Sequence, residues 1–153
     1  MRGPGKFIIA FLFCAAAFSA SAATGKVVKV LPHFLDLQGR HTLSPSLFDR
    51  DAYQAQLRLA PEKCSGIRFD ILWRGRAAER QLATLRVEVR GTAQGNLPSQ
   101  TTLESLVVIT GTSHWEKLSL TGEKYQRFGE ITAWRVTLWS GEQLIGEQKS
   151  FLW

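Results

Sequence analysis

The sequence predicts a mainly β chain folded as one antiparallel β-sandwich of about seven or eight strands, with one short helix near residues 46–60. Three observations predict it. Apolar and polar residues alternate with period two through most of the chain after residue 23. Turns bearing glycine divide the alternating runs at the spacing of antiparallel strands. One segment alone switches to a helical period.

Residues 1–23 stand apart. Arg2 and Lys6 form a short positive region, and Phe7 to Phe18 is an unbroken uncharged apolar run. Ala20-Ser21-Ala22 supplies the small-x-small pattern read by signal peptidase, so cleavage is expected after Ala22 or Ala23. The run is shorter than the roughly 20 apolar residues that span a bilayer comfortably, which argues against a retained anchor. Cys14 follows Phe11-Leu12-Phe13 rather than small residues, which argues against lipoprotein processing. The expected mature domain is 24–153, periplasmic or extracellular, with no transmembrane segment. Its net charge is +4, the whole chain's +6 less Arg2 and Lys6. That excess is too mild for a nucleic-acid binder, so no nucleic-acid partner is expected. Only Cys64 remains after cleavage, so no disulfide can form within the chain and the fold must rest on its core.

In order, Lys26 to Leu31 reads as a strand that Pro32 ends or confines to an edge, with Phe34 to Leu37 resuming it before a Gln38-Gly39 turn. Ser44 to Ala60 reads as the helix. Ser46 and Asp49 fit a capping pattern, Ala52, Tyr53, Leu57 and Ala60 share a face, and Pro61 ends the run. In Ile67 to Trp73 and Leu85 to Arg90 the apolar residues alternate with charges. Setting Ile67 opposite Val89, Phe69 opposite Val87 and Ile71 opposite Leu85 also brings Arg68 to Glu88 and Asp70 to Arg86. One register thus satisfies both faces and predicts an antiparallel pair, with Arg74 to Leu82 as its loop. Gly91 to Gln100 reads as a loop, and Thr102 to Ile109 as a strand buried on both faces near Leu106 to Ile109. Trp115 to Leu120 reads as a short strand turned by Thr121-Gly122. Ile131 to Trp139 and Gln143 to Trp153 read as a hairpin about a type II′ turn at Gly141-Glu142.

The search for chemistry assigns no catalytic, cofactor-binding or metal residue. His33, His41 and His114 have no zinc-ligand spacing, and His114-Trp115-Glu116 lacks the downstream Cys pair of zinc deaminases. The sequence has no nucleophile elbow, phosphate loop or dinucleotide fingerprint. Cys64 sits in a turn rather than at a predicted helix N-terminus, and reads as a small buried hydrophobe. Arg74, Arg76 and Arg80 crowd one predicted loop, either as solvated charge or as a patch for an anion or an acidic glycan. Trp73 is in phase with the core. Trp134 and Trp139 lie five apart, so they face opposite sides of their strand, and one falls outside the main apolar face.

The strand count and closing hairpin resemble an immunoglobulin-like sandwich, a likeness of architecture that implies no function. Lys149-Ser150-Phe151-Leu152-Trp153 resembles the last strand of outer-membrane barrels, although Glu147 and Lys149 on one face argue against lipid contact. The expectation is an exported non-catalytic module that binds or packs against another macromolecule, protein or glycan. The alternatives are a small outer-membrane barrel and a hydrolase whose site assembles only in three dimensions.

Overall fold

The computed structural model describes residues 22–153, so the predicted signal segment lies outside it except for Ala22 and Ala23. Seven strands run in chain order: β1 (Thr24–Asp36), β2 (Cys64–Arg76), β3 (Gln81–Ala93), β4 (Leu97–Ile109), β5 (Ser113–Thr121), β6 (Glu130–Ser140) and β7 (Gln143–Lys149). Helix α1 (Leu47–Leu59) follows β1, and helix α2 (Gly122–Phe128) joins β5 to β6. The strands form two antiparallel sheets, ordered β1-β2-β5 and β4-β3-β6-β7. The fold is the predicted antiparallel sandwich.

Period-two alternation builds its core. Ile67, Phe69, Ile71 and Trp73 of β2 and Ala83, Leu85, Val87 and Val89 of β3 are all buried in one apolar cluster. They project from different sheets, however. β2 pairs with β1 and β5, while β3 pairs with β4 and β6. The expected β2–β3 ladder is therefore absent. Alternation places apolar residues on one face but cannot say whether two such faces lie side by side or stacked. The charges find other partners: Arg68 grips Asp70 on its own strand, Arg86 meets Glu104 and Arg135 meets Glu88. The inward rows are apolar, which is the pattern of a filled sandwich rather than of a barrel with a polar lumen.

Several boundaries differ from expectation. Pro32 does not break β1, an edge strand on which a missing N–H is tolerated. The β2–β3 connection shrinks to residues 77–80, and most of the expected loop at 91–100 is strand. Leu106 and Val108 face solvent while Val107 and Ile109 are buried, because the outer face of β4 is uncovered. The expected turn at Thr121-Gly122 opens helix α2, whose Phe128 enters the core. The return strand β7 stops at Lys149. The Gly141 turn is as expected, with positive φ (57°) at its first central residue only.

Helix α1 starts where its cap places it. Ser46 is extended, and its Oγ accepts a hydrogen bond from the Asp49 N–H. The docked face is the expected one in part: Leu57 is buried and Tyr53 and Ala60 are half-buried, but Ala52 is exposed and Gln54 is buried in its place. The Gln54 amide accepts from the Phe34 N–H and donates to the carbonyls of Phe34 and His41. A polar side chain thus stitches the helix and the preceding loop to β1.

Candidate binding face

The register of the three-stranded sheet determines which side chains share its outer face. Trp73 and Val27 point into the core. Arg74 and Arg76, in the opposite phase on β2, therefore point outward beside Lys26 and Thr24 of β1. On β5, Leu118 packs on the core and Leu120 enters it, so Ser113, Trp115, Lys117 and Ser119 face out. The pairing then lays out rows across the sheet: Thr24 with Arg76; Lys26, Arg74 and Ser113; Lys29, Leu72 and Trp115; Leu31, Asp70 and Lys117; His33, Arg68 and Ser119. A bulge between Val27 and Lys29 turns both Val28 and Lys29 outward.

These rows are strongly one-signed. Lys26, Lys29, Arg74, Arg76 and Lys117 are all exposed, and none forms an ion pair with a carboxylate among the described residues. The one carboxylate in the rows, Asp70, is taken up by Arg68 through bonds of 2.7 and 2.9 Å. Lys26 stands directly opposite Arg74, an arrangement that costs stability in a ladder. Beside them lies an open cleft of about 450 Å³, lined by Thr24, Gly25, Lys26, Arg74, Gly75, Arg76 and Gly111. Its charged lining is wholly cationic. Trp115, 51% exposed, stands one row below Arg74.

The far end of this face is covered. Loop 37–46 and α1 lie over His33, Arg68 and Asp70, all buried or half-buried. The His33 and His41 rings are 5.0 Å apart, His33 Nε2 is 3.7 Å from Asp70 Oδ2, and Arg68 reaches His41 Nδ1 at 3.3 Å. Burial is the largest influence on both imidazoles and lowers their basicity; Arg50 and Arg68 add to it, and Asp70 opposes it. At the end of β1, burial pushes the Asp36 carboxyl up, but hydrogen bonds from Arg40, Tyr53 and Gln38 outweigh it and bring the pKa to about 2.

Of the predicted candidates, Arg74 and Arg76 come together as the end of β2 rather than as a loop, while Arg80 is exposed in the connection outside the cleft. Trp73 is buried. Trp134 faces inward against Phe69, and Trp139 lies on the outer face of the larger sheet beneath Arg86, which divides them as expected. His114 stacks on Trp73 and bonds Thr110 and Thr112. Arg135 sits within 3.5 Å of Glu147, and Trp153 stacks under Arg90.

Cys64 is buried at the wall of a second cleft, of about 690 Å³ between α1 and α2, lined by Phe34, Leu57, Tyr125 and Ile131 among others. Its thiol donates to the Leu57 carbonyl at 3.3 Å, and burial pushes its pKa up. Burial and the adjoining Cys64 push Tyr125 up to about 12. Both groups are thus held protonated, the reverse of an activated nucleophile. All three imidazoles are engaged elsewhere. No cluster of three or more His, Cys, Asp or Glu side chains suited to a metal occurs among the described residues.

Sequence reasoning missed Trp115, Lys26, Lys29 and Lys117. The phase was available: Trp115 and Lys117 alternate against Leu118 and Leu120, as Arg74 and Arg76 alternate against Trp73. What was absent was the neighbour relation between strands that are far apart in sequence. No family model matches the chain, and no curated protein or solved structure matches it either.

Proposed function

We propose that this chain is an exported, non-catalytic β-sandwich module that binds an anionic macromolecule through the outer face of its three-stranded sheet. The observation that carries the proposal is the charge on that face. Five outward cations have no carboxylate partner among the described residues, and two of them oppose each other across a ladder. A domain under selection for stability alone gains nothing from that arrangement, whereas an anionic partner neutralises it. The neutral thiol and phenol of the second cleft favour binding over nucleophilic chemistry.

Strand order favours an immunoglobulin-like reading. The orders β1-β2-β5 and β4-β3-β6-β7 differ from the constant-type arrangement only in that the fourth strand pairs with the third rather than the fifth. That architecture displays surfaces and carries no reaction of its own. Export rests on the N-terminal segment, with cleavage expected after Ala22 or Ala23. Ala23 is 5% exposed and belongs to the core cluster, so cleavage after Ala22 keeps it while cleavage after Ala23 discards it.

Cells expressing the full chain should release an exported protein whose intact mass begins at Ala23. Bound to an immobilised polyanion, that protein should elute at markedly lower salt after Arg74→Gln with Arg76→Gln. Lys124→Gln with Arg127→Gln, an equal charge change on α2, should leave elution nearly unchanged. Equal losses from the two double variants would reduce the binding to net charge. A chain retaining Met1 in the cytoplasm would remove the export reading.

A further inference from the structure

We infer that the anion bound by this face is an acidic polysaccharide, with Trp115 as the platform for a sugar ring and the Lys26–Arg74–Arg76 cleft as the seat of its carboxylate or sulfate. This inference rests on the anionic-partner reading above and names the partner's chemistry.

The argument begins with the mixture of groups. A nonspecific basic patch needs only charge, but here an indole is exposed within the cationic rows. Trp115 lies between Ser113 and Lys117 along β5, and its row continues through Leu72 to Lys29. An indole offers a flat apolar surface of the kind that stacks on the C–H face of a pyranose. Ser113 beside it, and Thr24 at the cleft, offer hydroxyls that can exchange hydrogen bonds with ring hydroxyls. Guanidinium forks at Arg74 and Arg76 match the planar geometry of a carboxylate or the oxygens of a sulfate.

Spacing supports the same ligand. Neighbouring strands lie about 4.8 Å apart, and alternate residues of a strand about 6.7 Å apart. Trp115 is thus one row and one strand from Arg74, and Arg76 lies one row beyond. The platform and the charge seat are separated by about the width of one sugar residue, beside an open cleft. A linear polymer bearing one anion per repeat can lie along β2 and meet both.

Two other polyanions are less well matched. A membrane surface calls for a substantial apolar area to enter the headgroup boundary. This face offers one indole, the partly exposed Val28 and the half-buried Leu31 and Leu72, set among lysines, arginines and serines. A single-stranded nucleic acid calls for several aromatic platforms along a groove, and these rows carry one.

The test uses protein purified from cells expressing the full chain, titrated at low salt with a hexamer of galacturonate and with a heparin hexasaccharide. Cellohexaose is the neutral control, phosphatidylglycerol vesicles and oligothymidylate the rival anions. The acidic hexamers should bind and cellohexaose should not. Trp115→Ala should weaken binding at least tenfold and abolish the ligand-induced change in tryptophan fluorescence. Arg74→Gln should weaken binding and flatten its salt dependence. Lys117→Gln gives a second charge variant beside the indole, with the same expectation, and circular dichroism checks each fold.

Binding of acidic hexamers that Trp115→Ala leaves unchanged overturns the inference, since charge alone then suffices. Binding of vesicles or oligothymidylate through Arg74, with neither hexamer bound, also overturns it but preserves the anionic face. Failure of every polyanion overturns both.

Discussion

His33 and His41 show how one residue type takes its role from its surroundings. The rings meet beneath α1 and loop 37–46, faced by Asp70 and Arg68 from β2, Arg50 from α1 and Lys117 from β5. Burial disfavours the imidazolium, and of these charges only Asp70 supports it. The folded pKa values therefore lie below the ordinary 6.5, and the unfolded chain binds protons first. Stability is complete above 6.5 and falls as pH drops from there through the folded values. Thermal unfolding should show a midpoint that declines between pH 7 and pH 5, with a shallower decline in His41→Gln. An unchanged slope in that variant would place the titration elsewhere. Asp36 works in the same direction at lower pH. Its pKa of about 2 lies below the ordinary 3.8, so its contribution is present above 3.8 and is lost between 3.8 and 2. Asp36→Asn should cost about 2 kcal/mol at neutral pH by weakening the charge-assisted bonds from Arg40 and Tyr53, measured by urea unfolding. Arg74→Gln should do the opposite. Relieving its like charge with Lys26 should leave stability unchanged or raise it by a few tenths of a kcal/mol (~0.3), even as anion binding weakens. A clear loss of stability would mean that Arg74 is structural.

At the scale of elements, local signals worked where the local chain settles the outcome. Ser46 caps α1 through its bond from Asp49, and Ser46→Ala should cost about 1 kcal/mol. The end of α2 depends on Gly129, with φ 83° and ψ −148°. A Cβ there would also press on the backbone of Thr92 and Ala93. Gly129→Ala should therefore destabilise by about 1–3 kcal/mol or more, visible as a drop in the urea midpoint. A drop no larger than that of Ser46→Ala would show that the β3 backbone yields easily. Helix α2 itself escaped detection because GEKYQRF is short and has only Phe128 to bury. Its position is set by the core it seals, not by its own periodicity. Helix α1 was legible as an element and its docking in part, through Leu57. The rest of the contact is made by Gln54, whose amide meets strand backbone, and no hydrophobic pattern foretells a polar stitch.

Across the whole molecule, the core is a stack of two apolar faces. Phe69 and Ile71 of one sheet and Leu85, Val87, Val136 and Leu138 of the other are fully buried. Leu85→Ala should cost about 2–5 kcal/mol, since the surrounding rows belong to four-stranded and three-stranded sheets that cannot close on the cavity easily. The outer faces then differ in chemistry. The four-stranded sheet carries paired charges, Arg86 with Glu104 and Arg135 with Glu88 and Glu147. The three-stranded sheet carries, besides the Arg68–Asp70 pair, five cations around Trp115 that pair with no carboxylate among the described residues. On the proposed reading, that asymmetry sets the side from which an anionic partner approaches.

The sequence by itself determined the β class, the two-faced character of β2 and β3, the α1 cap and the Gly141 turn. Each depends on residues within a few positions of one another, and period and turn chemistry act over that range. Tertiary structure alone decided that β2 and β3 stack across the core instead of pairing. It also decided that Lys26, Arg74 and Trp115 share one face. Their strands are adjacent only because sheet order β1-β2-β5 brings together segments that lie far apart in the chain, a choice no local pattern makes. Partner choice among strands is settled by the packing of the whole core, because β2, β3 and β5 offer similarly alternating faces.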